Sequence, residues 1–135
     1  MLKLIVGVKG TGKTKTLISM VNEAVKSSKG SVVCIEKGIK LRYDIKYQAR
    51  LINTDDFMID DAQSLYGFVA GILASDHDVT DLFIDSSLKI CNNDINAFEF
   101  LCEELQKLSE TAKMNIIMTA SHPIEEISDK VKKYI

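Results

Sequence analysis

Short, continuously apolar runs alternate along the chain with longer segments of helical periodicity, and this alternation constrains the fold more than any other feature. One run begins at Leu2 and stops at Gly7, and four more cover Ser31–Ile35, Arg50–Asn53, Thr80–Asp85 and Asn115–Ala120. Strands that are apolar at successive positions are buried on both faces, which is typical of a parallel sheet with helices on either side. The pattern predicts an α/β fold, a three-layer sandwich around a mostly parallel five-stranded sheet.

The segments between these runs carry the spacing of amphipathic helices. Apolar residues recur every three or four positions within Leu17–Val25, Leu65–Leu73 and Ile95–Leu108. Gly30 is the expected C-terminal cap of the first helix, and Asn93 or Asp94 the N-cap of the third. Pro123 suits the first turn of a final helix. We expect residues 1–135 to form a single domain.

Composition and charge limit the classes of partner. The 135 residues include 17 Lys and Arg against 19 Asp and Glu, so the chain gives no strong nucleic-acid signal. Cys34, Cys91 and Cys102 form no Cys-x-x-Cys pair, and we expect buried thiols in a reducing compartment. The longest apolar run near the N-terminus, Leu4–Val6, is too short for a signal peptide or a membrane span. These features predict a cytoplasmic domain without a membrane segment.

The segment GVKGTGKT, residues 7–14, fits the phosphate-binding pattern G-x-x-x-x-G-K-[ST] at every position. A strand precedes it and an amphipathic helix follows, as the pattern requires. Glycines allow the backbone to turn its N–H groups toward a phosphate, and the helix N-terminus favours the same anion. Lys13 can reach the β- and γ-phosphates of a nucleotide, and the Thr14 hydroxyl can bind Mg²⁺. The expected nucleotide-binding residues are Gly7, Val8, Lys9, Gly10, Thr11, Gly12, Lys13, Thr14 and Lys15.

Asp85 is the expected second magnesium residue, because it ends an apolar strand as the carboxylate of a Walker B motif does. Asp81 begins the same strand, at the wrong end of the sheet, and is interpreted as a solvated charge. Ser86 follows Asp85, so the frequent Asp-Glu pair is missing, and a hydrolase would need another carboxylate to activate water. Glu36, directly after the second strand, is the candidate catalytic residue.

These motifs together resemble the nucleotide-binding core of the RecA/KaiC-type P-loop ATPases, which have an additional strand in the sheet. The resemblance covers residues 1–123 and depends on the glycine-rich segment, Ile35-Glu36 and Ile84-Asp85-Ser86. It implies a RecA-like architecture that uses ATP and Mg²⁺, with Glu36 and Lys13 as catalytic residues.

The same resemblance implies a polar sensor of the γ-phosphate at Thr119 or Ser121, on the fifth strand. Oligomeric members of the family lend a cationic side chain to a neighbouring subunit, and Arg42 is the candidate here. RecA-like motors continue beyond the sensor strand with DNA-binding loops that this sequence lacks. Motor activity on DNA is therefore not expected.

Three functions remain open. The leading one is an ATP-binding protein with Mg²⁺-dependent ATPase activity of low intrinsic rate, acting as a nucleotide switch or as a subunit of a homo-oligomer or larger assembly. The second is a small phosphotransferase, because Val32–Lys37 followed by Leu41–Tyr43 resembles part of the type II thymidine kinases. Those kinases also carry a zinc-binding cysteine cluster and a Glu after the Walker B Asp, which this chain lacks. The third is a nucleotide-binding interaction module without turnover.

Overall fold

The computed structural model describes all 135 residues and contains every predicted strand within one residue of its expected limits. The strands are β1 (Leu2–Gly7), β2 (Ser31–Glu36), β3 (Arg50–Asn53), β4 (Val79–Ile84) and β5 (Asn115–Ser121). The helices are α1 (Lys13–Ser27), α2 (Ala62–Ser75), α3 (Ser87–Ile90), α4 (Ile95–Ala112) and α5 (Asp129–Lys132). Two 3₁₀ helices cover Thr54–Phe57 and Ile124–Glu126. No helix combines the length and hydropathy needed to span a membrane.

The five strands form one sheet in the order β1–β5–β4–β2–β3, and all neighbouring pairs are parallel. The predicted α/β class is therefore confirmed, with an all-parallel sheet. β5 separates β1 from β4, so the strand before the glycine-rich segment is not paired with the strand before Asp85. Gly7 lies opposite Ser121, and Ile84 lies opposite both Met118 and Ile35. The carboxyl ends of the four longer strands thus meet at one edge of the sheet.

Two apolar cores lie on opposite faces of the sheet. The larger contains side chains of α2 and α4 together with Val33 and Ile35 of β2. The smaller contains side chains of α1 together with Val32 and Cys34 of the same strand. Alternate residues of β2 therefore face different layers, as strand geometry requires. This arrangement is compatible with a three-layer sandwich and explains why the buried parts of the strands, such as Val32–Ile35, are apolar at successive positions.

The predicted C-terminal cap at Gly30 is wrong. α1 ends at Ser27, and the cap residue Ser28 has extended backbone angles. Gly30 is required instead by close packing, because a Cβ atom there would lie 2.1 Å from the carbonyl oxygen of Asp78. The sequence indicated that position 30 requires glycine, but the requirement comes from close packing against β4 and not from a helix cap.

The predicted final helix beginning at Pro123 is also wrong. Only the 3₁₀ helix and the single turn of α5 form there, and Ile127 and Val131 bury their side chains in the larger core. The Leu4 N–H donates to the Tyr134 carbonyl at 2.8 Å, so the end of the chain packs along the free edge of β1. At α4, the third helix expected from the sequence, the choice between two caps is settled, since Asp94 accepts a hydrogen bond from the Ala97 N–H at 3.1 Å.

Candidate functional site

The glycine-rich loop (Gly7–Thr14) joins β1 to α1 at the carboxyl edge of the sheet. Gly10 and Gly12 have φ angles of 88° and 85°, in the left-handed region where a side chain is strained. Gly12 is also the N-cap of α1, so no side chain accepts hydrogen bonds from the first N–H groups of that helix. Unpartnered N–H groups at a helix N-terminus attract anions. The loop therefore has the geometry of an anion cradle.

Lys13 lies inside this cradle. Its Nζ donates to the Val8 carbonyl at 2.9 Å, and the Thr11 hydroxyl donates to the same oxygen at 2.8 Å. The side chain is only 9% exposed, which is unusual for lysine. The loop thus holds an ammonium group next to the free end of α1, where it adds to the attraction for a negative charge.

Asp85 lies directly after β4 and is hydrogen-bonded to side chains from two other elements. Its Oδ1 accepts from the Thr119 hydroxyl of β5 at 2.7 Å and from the Thr14 hydroxyl of α1 at 3.1 Å. The Ser86 N–H in turn donates to the Thr119 hydroxyl oxygen at 2.8 Å. The structure thus brings together Thr14 and Asp85, the two residues expected to bind magnesium, although they are 71 positions apart in the chain.

The donor set of Thr14 and Asp85 fits Mg²⁺, because hydroxyl and carboxylate oxygens are the hard ligands that this ion prefers. No group of three or more His, Cys, Asp or Glu side chains gathers anywhere in the chain as a metal site. Mg²⁺ is usually held by one or two protein oxygens together with waters and substrate phosphates. The site therefore fits a magnesium ion that arrives with a phosphate chain.

Glu36 ends β2 at the same edge of the sheet, and its carboxylate is buried. Its Oε1 accepts from the Lys40 N–H at 3.0 Å, and its Oε2 accepts from the Leu41 N–H at 3.1 Å. Burial raises the pKa of Glu36 above its usual value, the two backbone N–H groups oppose the shift, and the charge of Asp85 adds to it. A carboxylate with a raised pKa accepts a proton more readily, as a general base does.

A cavity of about 500 Å³ connects these residues. Glu36, Asp85, Thr119 and Ser121 line it together with the glycine-rich loop, and Leu41 is the single apolar residue in its wall. Six lysines also contribute to the wall: Lys9, Lys13, Lys15, Lys37, Lys40 and Lys89. The volume suits a small organic ligand, and the excess of ammonium groups over carboxylates favours a polyanion.

A second cavity of about 470 Å³ lies between α2 and α4 and is lined mainly by apolar side chains. None of the predicted site residues belongs to it. Its walls contain no lysine, arginine or histidine to bind a phosphate, and Glu104 is their single charged residue. The cavity at the carboxyl edge is therefore the better candidate site.

The remaining predicted residues take different positions. The Thr119 hydroxyl is engaged by Asp85 and by the Ser86 N–H, so it holds the carboxylate in place. Ser121 is exposed at the cavity wall. Arg42 is exposed outside the cavity, with its guanidinium 4.8 Å from the centre of the Tyr43 ring.

Sequence reasoning missed the cavity lysines Lys37, Lys40 and Lys89. The basic character of the segment after Glu36 was a usable signal for Lys37 and Lys40. No signal pointed to Lys89, because α3 is a single turn and too short to show periodicity.

The sequence matches no protein-family model with which it was compared, and no curated protein either. What the protein does therefore has to follow from the arrangement of its own residues.

Proposed function

We propose that the chain binds a magnesium–nucleoside triphosphate, with ATP as the expected ligand, in the cavity at the carboxyl edge of the sheet. The observation that carries this proposal is the hydrogen bond between Thr14 and Asp85 beside a glycine-rich loop that encloses Lys13. The glycine-rich loop with Lys13 suits a phosphate chain, and the Thr14–Asp85 pair suits the metal ion of that chain. Because the Thr14–Asp85 pair lies beside the glycine-rich loop, a phosphate chain and its metal ion can bind next to each other.

In this proposal each group has a defined part in binding. The N–H groups at the start of α1 donate to phosphate oxygens, and the Lys13 ammonium exchanges the Val8 carbonyl for the phosphate chain. Thr14 and Asp85 would hold Mg²⁺, which when bound neutralises phosphate charge. The Thr119 hydroxyl keeps the Asp85 carboxylate oriented.

We further propose that the bound nucleotide is hydrolysed slowly, with Glu36 orienting the attacking water. Its burial and its raised pKa support this role. No arginine lines the cavity, and arginine is the residue that usually stabilises transition-state charge in rapid phosphoryl transfer. A low intrinsic rate suits a nucleotide switch or an assembly subunit. The position of β5 between β1 and β4 is the order expected of an additional-strand ATPase and supports the resemblance.

A second candidate function is nucleotide binding without turnover. It is favoured by one observation, that both Glu36 oxygens accept hydrogen bonds from the loop that follows β2. A carboxylate used in this way serves the fold first. The two candidates share the binding site and differ only in the fate of the bound nucleotide.

The proposed binding site is tested by Lys13→Ala, measured by titration calorimetry with Mg·ATP. A hydrogen bond to a charged group contributes about 1.5–3 kcal/mol, so the Kd should rise about 10- to 150-fold. Lys26→Ala, an exposed lysine in the last turn of the same helix, is the matched control and should bind as the wild type does. Thermal melts should show both variants folded. Equal affinity of Lys13→Ala and wild type would refute the site.

A further inference from the structure

We propose that the chain has a second ligand site, the basic-aromatic segment (residues 37–50), and that it binds a single-stranded polynucleotide. The segment carries five of the chain's 17 cationic residues, both of its arginines among them, and only one acid, Asp44. The rest of the chain is acidic, with 18 Asp and Glu against 12 Lys and Arg. The near-neutral net charge of the chain is thus the sum of a positively charged segment and a negatively charged remainder.

The segment is held firmly although it contains little regular structure. Leu41, Ile45 and Ala49 are spaced four residues apart and are buried in the smaller core. The Asn22 side chain of α1 donates to the Asp44 carbonyl and accepts from the Lys46 N–H, both at 2.9 Å. A surface that is ordered before it binds loses less conformational entropy on association.

This anchoring leaves six side chains exposed between the buried positions: Asp44, Gln48, and the four cationic and aromatic residues Arg42, Tyr43, Lys46 and Tyr47. Tyr43 is 85% exposed and Tyr47 is 91% exposed, far beyond what tyrosine usually shows. The Arg42 guanidinium lies 4.8 Å from the centre of the Tyr43 ring, so a cation and an aromatic face are presented together. We call these four residues the stacking surface.

A single-stranded polynucleotide can contact both the aromatic rings and the cations of the stacking surface. The flat faces of its unpaired bases stack on aromatic rings, and the phosphates beside them attract Lys and Arg. Lys37 is paired with Asp55 at 2.7 Å and Lys40 lines the nucleotide cavity, but Arg42, Lys46 and Arg50 form no ion pair, lie outside that cavity and are available to phosphates. A duplex would hide its base faces, and an acidic peptide would leave the two tyrosine rings without a use. The aromatic rings therefore favour a single strand.

The stacking surface is separate from the nucleotide cavity, because none of its four residues lines that cavity. Lys37, Lys40 and Leu41 of the basic-aromatic segment do line the cavity, so the variants that separate polynucleotide binding from nucleotide binding are confined to the stacking surface. This separation allows one set of variants to test each site against the other.

The experiment measures fluorescence anisotropy of labelled oligo(dT) and oligo(rU) of equal length, a duplex of that length, and poly-glutamate as a competitor. Wild type should bind the single strands more tightly than the duplex, and poly-glutamate should compete poorly. Stacking contributes about fivefold to 150-fold in affinity per base, so Tyr43→Ala/Tyr47→Ala should raise the Kd at least by the lower figure. Tyr43→Phe/Tyr47→Phe keeps both rings and should bind nearly as wild type does. Comparison of the two oligonucleotides shows whether RNA or DNA is preferred.

Controls separate this site from the fold and from the cavity. Phe100→Ala removes an exposed aromatic ring on α4 and should leave strand affinity unchanged. The slope of log K against the logarithm of the salt concentration should be less steep by about 1.4 in Arg42→Ala/Lys46→Ala, as expected for two lost phosphate contacts. Tyr43→Ala/Tyr47→Ala should bind Mg·ATP with wild-type affinity, and Lys13→Ala should bind the single-stranded oligonucleotide with wild-type affinity. The proposal is overturned if wild type binds no strand, if the duplex or poly-glutamate binds equally well, if the alanine pair loses nothing, or if Mg·ATP displaces the strand.

Discussion

Asp85, Thr119 and Glu36 are polar side chains with almost no contact with water, yet their oxygen atoms have partners. Burying a polar group without a hydrogen bond costs about 1–3 kcal/mol, and an unpaired charge costs more. Hydroxyls of Thr14 and Thr119 satisfy Asp85, and backbone N–H groups satisfy Glu36. These bonds fix both carboxylates before a ligand arrives, which is the condition for preorganised binding.

The role of Glu36 is tested by Glu36→Gln in a single-turnover assay of prebound ATP, together with a binding isotherm. Gln keeps the size of the side chain but cannot accept a proton from water. A positioned general base contributes about 10²- to 10⁴-fold to rate, so hydrolysis should fall by that factor while ATP affinity changes little. A mutant that hydrolyses at the wild-type rate would remove Glu36 from the mechanism.

A control is needed because Gln also weakens one hydrogen bond to the loop after β2. Asn22→Ala releases the same loop at its other end, where the side chain bonds to Asp44 and Lys46. It leaves the Glu36 carboxylate intact and should hydrolyse ATP nearly as wild type does. If both variants lose turnover equally, loop order rather than the carboxylate is responsible.

Among the elements, the junction between α1 and β2 illustrates how tertiary packing selects a residue. An alanine at position 30 would place its Cβ 2.1 Å from the Asp78 carbonyl oxygen and 2.7 Å from the Thr80 Cγ2. Overpacking of this kind costs about 1–3 kcal/mol, so Gly30→Ala should lower the free energy of unfolding by at least that amount. Urea denaturation measures the change.

Gly71→Ala is the matched control for that substitution. Gly71 lies in α2, is exposed, and has no atom within 4 Å of an added Cβ. Alanine there should stabilise the chain by about 0.4–1 kcal/mol, because it restricts the unfolded state. Equal effects of the two substitutions would contradict the packing explanation for Gly30.

Most of the strands could be predicted from sequence because successive residues are apolar, as in Val32–Ile35 and Leu82–Ile84, a local pattern that needs no knowledge of neighbours. The ends of the helices could not be predicted so well. Gly30 depends on the approach of β4, and the segment after Pro123 packs along β1 instead of continuing as a helix. The position of α3 depends on its first residue, Ser87, whose buried hydroxyl donates to the Thr119 carbonyl of β5 at 2.7 Å. Contacts between distant parts of the chain decide all three.

At the scale of the whole molecule, the site exists only because the sheet brings distant segments together. The residues of each motif could be named from sequence, since the glycine-rich pattern and a carboxylate after an apolar strand are local signals. The hydrogen bonds that join them could not, because they depend on the strand order. β5 lies between β1 and β4, and this places Thr119 beside Asp85.

The central claim is that the carboxyl edge of the sheet binds a phosphate chain and its magnesium ion as one ligand. The most direct test titrates ATP with and without Mg²⁺ into wild type, Asp85→Asn and Asp81→Asn. Asp81 lies in the amino-terminal half of β4, the strand that Asp85 follows, and its Oδ2 accepts from the Thr80 hydroxyl instead of from a site residue. We expect Mg²⁺ to strengthen ATP binding in wild type and in Asp81→Asn, and Asp85→Asn to lose most of that dependence because it lacks the negative charge. An undiminished magnesium dependence in Asp85→Asn would contradict the claim.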